Sequence, residues 1–185
     1  MMDVVARPET RLHETGMQND LPSESLRTLV QHVVARHHVY LREAFPRLLA
    51  LSSELAQQSG AGDERIATLH AILQAFANET LSHLDKEERV LFPMCEGLEM
   101  GRRPSMPPTV RMPIQRMMHE HEEHDATLAR LSASTNGYEV RPGMSATEKA
   151  LVEGLAELDS DLRQHIAIEN EVLFPWAMRL EAGLR

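Results

Sequence analysis

A neutral imidazole is a common metal ligand, and ten histidines stand in this chain of 185 residues. Where they sit matters more than their number. The pattern H-x-x-x-E-x-x-V-L-F-P runs from His83 through Glu87 to Pro93 and again from His165 through Glu169 to Pro175, 82 residues apart. On a helix, residues four apart share a face and lie about 6 Å from one another. Each copy therefore sets an imidazole beside a carboxylate. Val90, Leu91, Val172 and Leu173 are expected on the same face, which marks it as buried. A buried Glu or His is costly unless paired or metal-bound, and two such pairs in one core compensate each other by sharing cations. Nitrogen and oxygen donors without thiolate suit iron better than structural zinc.

Two further segments offer ligands. Between Met117 and Asp125 the stripe Ile114, Met117, Met118, Leu128 and Leu131 puts His121 on the buried side, with His124 one turn on and His119 turned away. In the first segment Val34, His38, Leu41 and Phe45 form one stripe, so His38 faces inward and His37 lies at its border. His37, His119, His124 and Asp125 read more readily as solvated or neighbouring groups. Glu120, Glu122 and Glu123 read as a wet helix face. Glu79 and Asp161, one turn before each repeated His, are either acceptors for ligand imidazoles or ordinary surface acids. His32 and His70 fall at surface or bundle-end positions, and His13 in the N-terminal arm. The methionines are core filler.

The elements that must position these groups are helices. Leu and Ala dominate the long segments and aromatic residues are only 4%, against what strands require. Residues 1–22 are polar and unpatterned, an arm outside a folded unit spanning 23–185. The first helix is expected from an N-cap at Ser23 to Gln58, bent or split at Pro46. A connector covers Ser59 to Asp63, with Asp63 capping a second helix that ends at Leu91 or Phe92, before Pro93. Cys95 to Pro113, with two glycines and four prolines, is the longest loop. A third helix is expected from Pro113 to Ser134, a break at Gly137 and Pro142-Gly143, and a fourth from the capping-box sequence at Ser145–Glu148 to Leu180. Four long amphipathic helices make an all-α, up-down-up-down four-helix bundle. No strict heptad seam persists.

The bulk numbers narrow the function. A net charge of −9 argues against a nucleic-acid surface. The lone Cys95 fits a reducing compartment, and residues 1–22 carry no long apolar run. A cytoplasmic protein is expected.

With these motifs in place, the chain resembles the hemerythrin-like family, closest to its di-iron branch that repairs iron–sulfur centres. The likeness covers roughly Leu26 to Met178. It implies a non-haem di-iron centre, carboxylate- and oxo- or hydroxo-bridged, with Glu87 and Glu169 as bridges and His38, His83, His121 and His165 as terminal ligands. It also implies a role in supplying iron to clusters damaged by nitric oxide or oxidative stress. The alternatives are a sensor or carrier of dioxygen or nitric oxide, or a redox enzyme acting on nitric oxide or peroxide. Two departures stand out. The branch carries a further His just after the first helix, where this chain has Gln57, Gln58, Ser59 and Gly60. Solvent, His37 and His124 are the candidates to replace it. The branch's N-terminal domain with paired cysteines is also lacking. The dioxygen carriers' pair of histidines four apart on the third helix is here His121 and Asp125, a poorer match.

Overall fold

The computed structural model describes residues 25–58 and 64–184, and among these every long element is helical. Four rods account for them. The first is α1 (Leu26–Val33), a π turn (Val34–His38) and α2 (Val39–Gln58). The second is α3 (Glu64–Lys86), a π turn (Glu87–Leu91) and α4 (Phe92–Glu99). The third is α5 (Arg111–Ser134), and the fourth is α6 (Ala146–Ile168), a π turn (Glu169–Leu173) and α7 (Phe174–Gly183). α2 and α5 each pack on α3 and α6, while α1 packs on α4 and α4 on α7. The start of the first rod therefore meets the end of the second, and the bundle alternates in direction.

Several boundaries differ from the sequence reading. Ser25 is the observed N-cap, accepting from the Thr28 amide at 3.0 Å, whereas Ser23, the arm and the Ser59–Asp63 connector lie outside the described residues. Pro46 sits inside α2 without dividing it. The rod changes its winding at Val34–His38 instead. Neither Pro93 nor Pro175 ends a helix; each falls at the start of the α-helix after a π turn. There the amide of Phe92 reaches back five residues to Glu87 O, and that of Phe174 to Glu169 O. The wide turn leaves a carbonyl over, so a residue that lacks an N–H fits at that point with little loss. α4 thereby extends through what read as the start of the long loop. The Ser145 hydroxyl does accept from Glu148 N, at 3.1 Å, as the capping sequence implies.

The extensions α4 and α7 have work at their far ends. Glu99, on α4, accepts from the amides of Leu26 (2.7 Å) and Arg27 (3.2 Å) at the start of α1. Glu181, on α7, accepts from the Val110 amide (3.0 Å) and the Thr109 hydroxyl (2.8 Å) at the start of α5. Both acids stand sixteen residues beyond the repeated His. The second and fourth rods thus play matching parts toward the first and third, an approximate two-fold relation.

Two apolar clusters fill the bundle. One gathers around Phe45, Leu48, Leu73, Phe76, Leu128 and Leu158. The other gathers around Leu26, Val33, Phe92, Ile114, Phe174 and Trp176. Between them lies a layer of buried polar side chains: His37, His38, His83, Glu87, Glu120, His121, His124, Asp161, His165 and Glu169.

Candidate metal centre

The three π turns all fall in this layer, and that explains its density. In an α-helix successive side chains point about 100° apart, so neighbours rarely face one site. One wide turn lets two consecutive residues do so. His37 and His38 are 2% and 1% exposed. Glu87 is fully buried, and its neighbour Glu88 reaches the Nδ1 of His38 at 2.8 Å. Glu169 is fully buried, and its neighbour Asn170 reaches the Nδ1 of His121 at 3.0 Å. The same turn changes the phase beyond it. Leu91 and Leu173 are buried as the helical spacing predicts, but Val90 is 45% exposed and Val172 only half-buried. Met118, expected in the buried stripe, is exposed too.

The structure brings the six predicted ligands together as two overlapping sets. His38, Glu87, His165 and Glu169 form one, and His83, Glu87, His121 and Glu169 the other, each with its donor atoms all within 4.8 Å. Both sets share the two carboxylates. Within them the Nε2 atoms of His38 and His165 are 3.3 Å apart, and those of His83 and His121 are 3.0 Å apart. Two nitrogens bound to one ion at about 2.1 Å each lie roughly 3.0–3.4 Å apart for angles between square and tetrahedral. The observed spacing is consistent with ligands to a common cation.

The hydrogen bonding points the same way. A carboxylate can only accept, so Nδ1 of His38 donates to Glu88 and Nδ1 of His83 donates to Glu120, at 2.9 Å. His121 donates through Nδ1 to the Asn170 side-chain oxygen. A neutral ring with its proton on Nδ1 presents a lone pair on Nε2, aimed inward. The carboxylate oxygens there are acceptors as well, and no oxygen of Glu87 or Glu169 receives a well-aligned hydrogen bond. They lie at 3.2 Å (His83 to Glu87), 3.5 Å (His38 to Glu87), 3.2 Å (His121 to Glu169) and 3.0 Å (His165 to Glu169) from the ring nitrogens. Acceptors facing acceptors in a buried layer repel unless positive charge stands between them. The residues present fit a pair of cations.

The electrostatics carry the same demand. Burial, and then the facing Glu169, push the Glu87 carboxyl up from its ordinary range. Burial opposes ionisation of Glu169 too, but His165 and His121 beside it hold that carboxyl well below the usual value. At His83 burial alone would lower the pKa, yet Glu87, Glu169 and Glu120 outweigh it and raise it to about 9. His38 goes down to about 4, through burial and the neighbouring His165. The thiol of Cys95 is pushed up to about 12 by burial and by Glu169 and Glu87, so it is no thiolate donor.

Among 185 residues, residues 29–177 match the hemerythrin HHE cation binding domain. The chain belongs to this family. It is 36% identical over 146 residues to the iron-sulfur cluster repair protein DnrN of Neisseria gonorrhoeae, covering 78% of this chain and 87% of that one. It is 32% identical over 177 residues to the iron-sulfur cluster repair protein YtfE of Cronobacter sakazakii, covering 96% and 77%. YtfE of Escherichia coli O1:K1 is 31% identical over the same length. The chain is thus a hemerythrin-like, all-helical protein with two buried His/Glu clusters that share Glu87 and Glu169, consistent with a dinuclear metal site. No helix among the described residues is long and apolar enough to cross a membrane.

The remaining candidates fall around these sets. His37 is outside them; its ring stacks on His165 at 5.6 Å, and its Nδ1 donates to Asp161 at 3.1 Å. His124 is also outside them, 5.0 Å ring to ring from His83 and held near pKa 3 by burial and the His83 and His121 rings. His119, Asp125 and Glu79 are exposed, and His70 bonds Ser52 away from the layer. Asp161 is buried, but it accepts from His37, outside both sets, and not from a ligand imidazole. Glu120 is the residue that the helix-face reading missed. It is 6% exposed and accepts from His83, Lys86 and Arg116. The usable signal was its place immediately before His121, which puts it on the flank of the second rod. The connector at Ser59–Asp63, where the resemblance places a further His, lies outside the described residues. α2 runs 20 residues from Val39 to Gln58, about 30 Å, which carries Gln58 to the end of the bundle remote from His38.

Proposed function

We propose that this chain holds two iron ions in a non-haem di-iron centre and supplies iron to iron–sulfur proteins damaged by nitric oxide or oxidative stress. The ligands are His38 and His165 for one ion, His83 and His121 for the other, with Glu87 and Glu169 shared. The observation that carries the reading is the set of four buried carboxylate oxygens without aligned donors, facing inward-pointing Nε2 atoms. Iron is favoured because the donors are imidazole and carboxylate, and the one nearby thiol is held protonated. The relatives' described role in cluster repair supports the client class.

Bound iron supplies redox cycling and open coordination positions for a diatomic ligand such as nitric oxide or dioxygen. The protein's own part is to hold the shell. Glu88, Glu120 and Asn170 fix three imidazole orientations through Nδ1. Phe92 stacks on His38 at 5.6 Å and Phe174 on His121 at 5.9 Å, closing each ring on its outer side. The apolar clusters above and below exclude bulk water and strengthen every charge interaction in the layer.

The test is metal content and reactivation together. Protein purified under low oxygen should carry close to two irons per chain and absorb in the near ultraviolet when oxidised. Added to a nitric-oxide-damaged iron–sulfur enzyme, it should restore activity while losing iron. One tightly held zinc and no iron would overturn the di-iron reading. Two irons with no transfer would overturn the repair role.

A further inference from the structure

The approximate two-fold relation of the rods extends to single side chains; the carboxylate of Glu88 is matched by the neutral amide of Asn170, and at His37 the matching partner is missing altogether. His38 and His121 correspond: each donates Nδ1 to the residue after a shared Glu (Glu88, Asn170) and stacks on the Phe of that repeat (Phe92, Phe174). His83 and His165 correspond as well. The Nδ1 of His83 is held by Glu120, the residue just before His121. The matching place for His165 is the residue just before His38, and that residue is His37. Its ring lies flat against His165, 10° from parallel, and bonds Asp161 instead. The Nδ1 of His165 is left buried with no hydrogen-bond partner.

The two halves therefore differ in how firmly they present a lone pair. Glu120 is itself clamped by Lys86 and Arg116, both at 2.7 Å, so His83 is locked with its proton on Nδ1. Nothing locks His165. Its proton is free to sit on Nε2, facing Glu169 Oε1 3.0 Å away, in the place an ion would take. Cavities lie behind both halves, about 540 Å³ beside Arg36, Tyr40 and Asp161 and about 400 Å³ beside Lys86, Arg116 and Glu120, so the difference between the halves rests on the ring partners alone.

We infer that the two cation positions are unequal, that the ion between His38 and His165 is the one released and reloaded, and that His37 in the place of an acceptor makes it so. This rests on the di-iron reading above. Loss of an outer hydrogen-bond partner lowers metal affinity by about 10–100-fold, so release from this half should be at least about ten times faster.

The experiment follows iron leaving the loaded, full-length protein under excess ferrous chelator. Two phases of equal amplitude are expected. Anomalous diffraction from crystals stopped after the first phase should show iron only between His83 and His121. His37→Glu places a carboxylate where the two-fold relation calls for one and should slow the fast phase toward the slow one, a gain that a merely damaged variant does not give. Glu120→Gln, on the opposite half, should speed the slow phase and leave the fast one unchanged, so the inference stays testable if His37→Glu does not fold. A single phase in wild type, or iron remaining at the His38–His165 position, overturns the inference while leaving the di-iron reading intact. A loaded protein holding fewer than two ions overturns both.

Discussion

Replacing Glu87 by Gln should move the stability of the protein in opposite directions depending on whether metal is present. Glu87 is fully buried, its oxygens receive no aligned donor, and Glu169 faces it across the layer. Stripped of metal, the wild-type layer holds in Glu87 a carboxylate that burial and the facing Glu169 disfavour. The effective penalty for a buried ion is several kcal/mol, and the nearby imidazoles offset part of it, which leaves about 2 kcal/mol to be recovered on neutralising one. For a chain of this size that is a rise in Tm of roughly 4–8 °C in excess chelator. With free iron at about a thousand times its Kd, each bound ion should stabilise the wild type by about 4 kcal/mol. Glu87→Gln removes a donor shared by both sets, so its Tm should barely respond to iron and should fall below the wild type's. The pH dependence has a definite sign. The Glu87 carboxyl is raised from 4.5 in the folded protein, so the metal-free wild type loses stability as that group ionises with rising pH. The Gln variant has no such loss, and its advantage in chelator should widen from about pH 5 to about pH 8. Thermal unfolding followed by circular dichroism, with and without iron, reads all of this. A variant equally destabilised in chelator and in iron would show that Glu87 is a structural hydrogen-bonding residue and that the cation argument is wrong.

Other outcomes follow from the same geometry. Glu88→Gln weakens the acceptor that holds His38 and should lower iron affinity about 10-fold by competition with chelator, whereas Glu171→Ala, at an exposed position, should change neither iron content nor Tm. Because His83 is raised to about 9 and must lose its ring proton to bind, loading iron in weak buffer near pH 7.5 should release protons, and apparent affinity should climb with pH up to about 9. A proton release of zero, read with an indicator dye, would contradict that. Glu99→Ala and Glu181→Ala each remove a cap at the start of a rod and should each cost about 1 kcal/mol, seen as a lower Tm in urea-free melts, with iron content unchanged.

The sequence by itself carried the helices, the bundle and the inward His/Glu pairs, because each of these depends on local periodicity. The duplicated pattern from His83 and from His165 needed only the 3.6-residue repeat to place an imidazole beside a carboxylate, and the stripes around His38 and His121 needed only their apolar neighbours. What the sequence did not reveal is where the helical phase changes. A π turn adds a residue without any composition signal of its own, so from periodicity alone Val90 reads as inward and Pro93 as a stop. The partners of the imidazoles depend on approach between rods. Glu120 looks like one more acid on a wet face until α5 packs against α3 and sets it 2.9 Å from His83. The distance from His38 to the end of α2 is likewise a property of the folded rod. Only the packed bundle decided that Glu120 stands against His83 while His37 stands against His165, because only packing sets residues on different rods at hydrogen-bond distance.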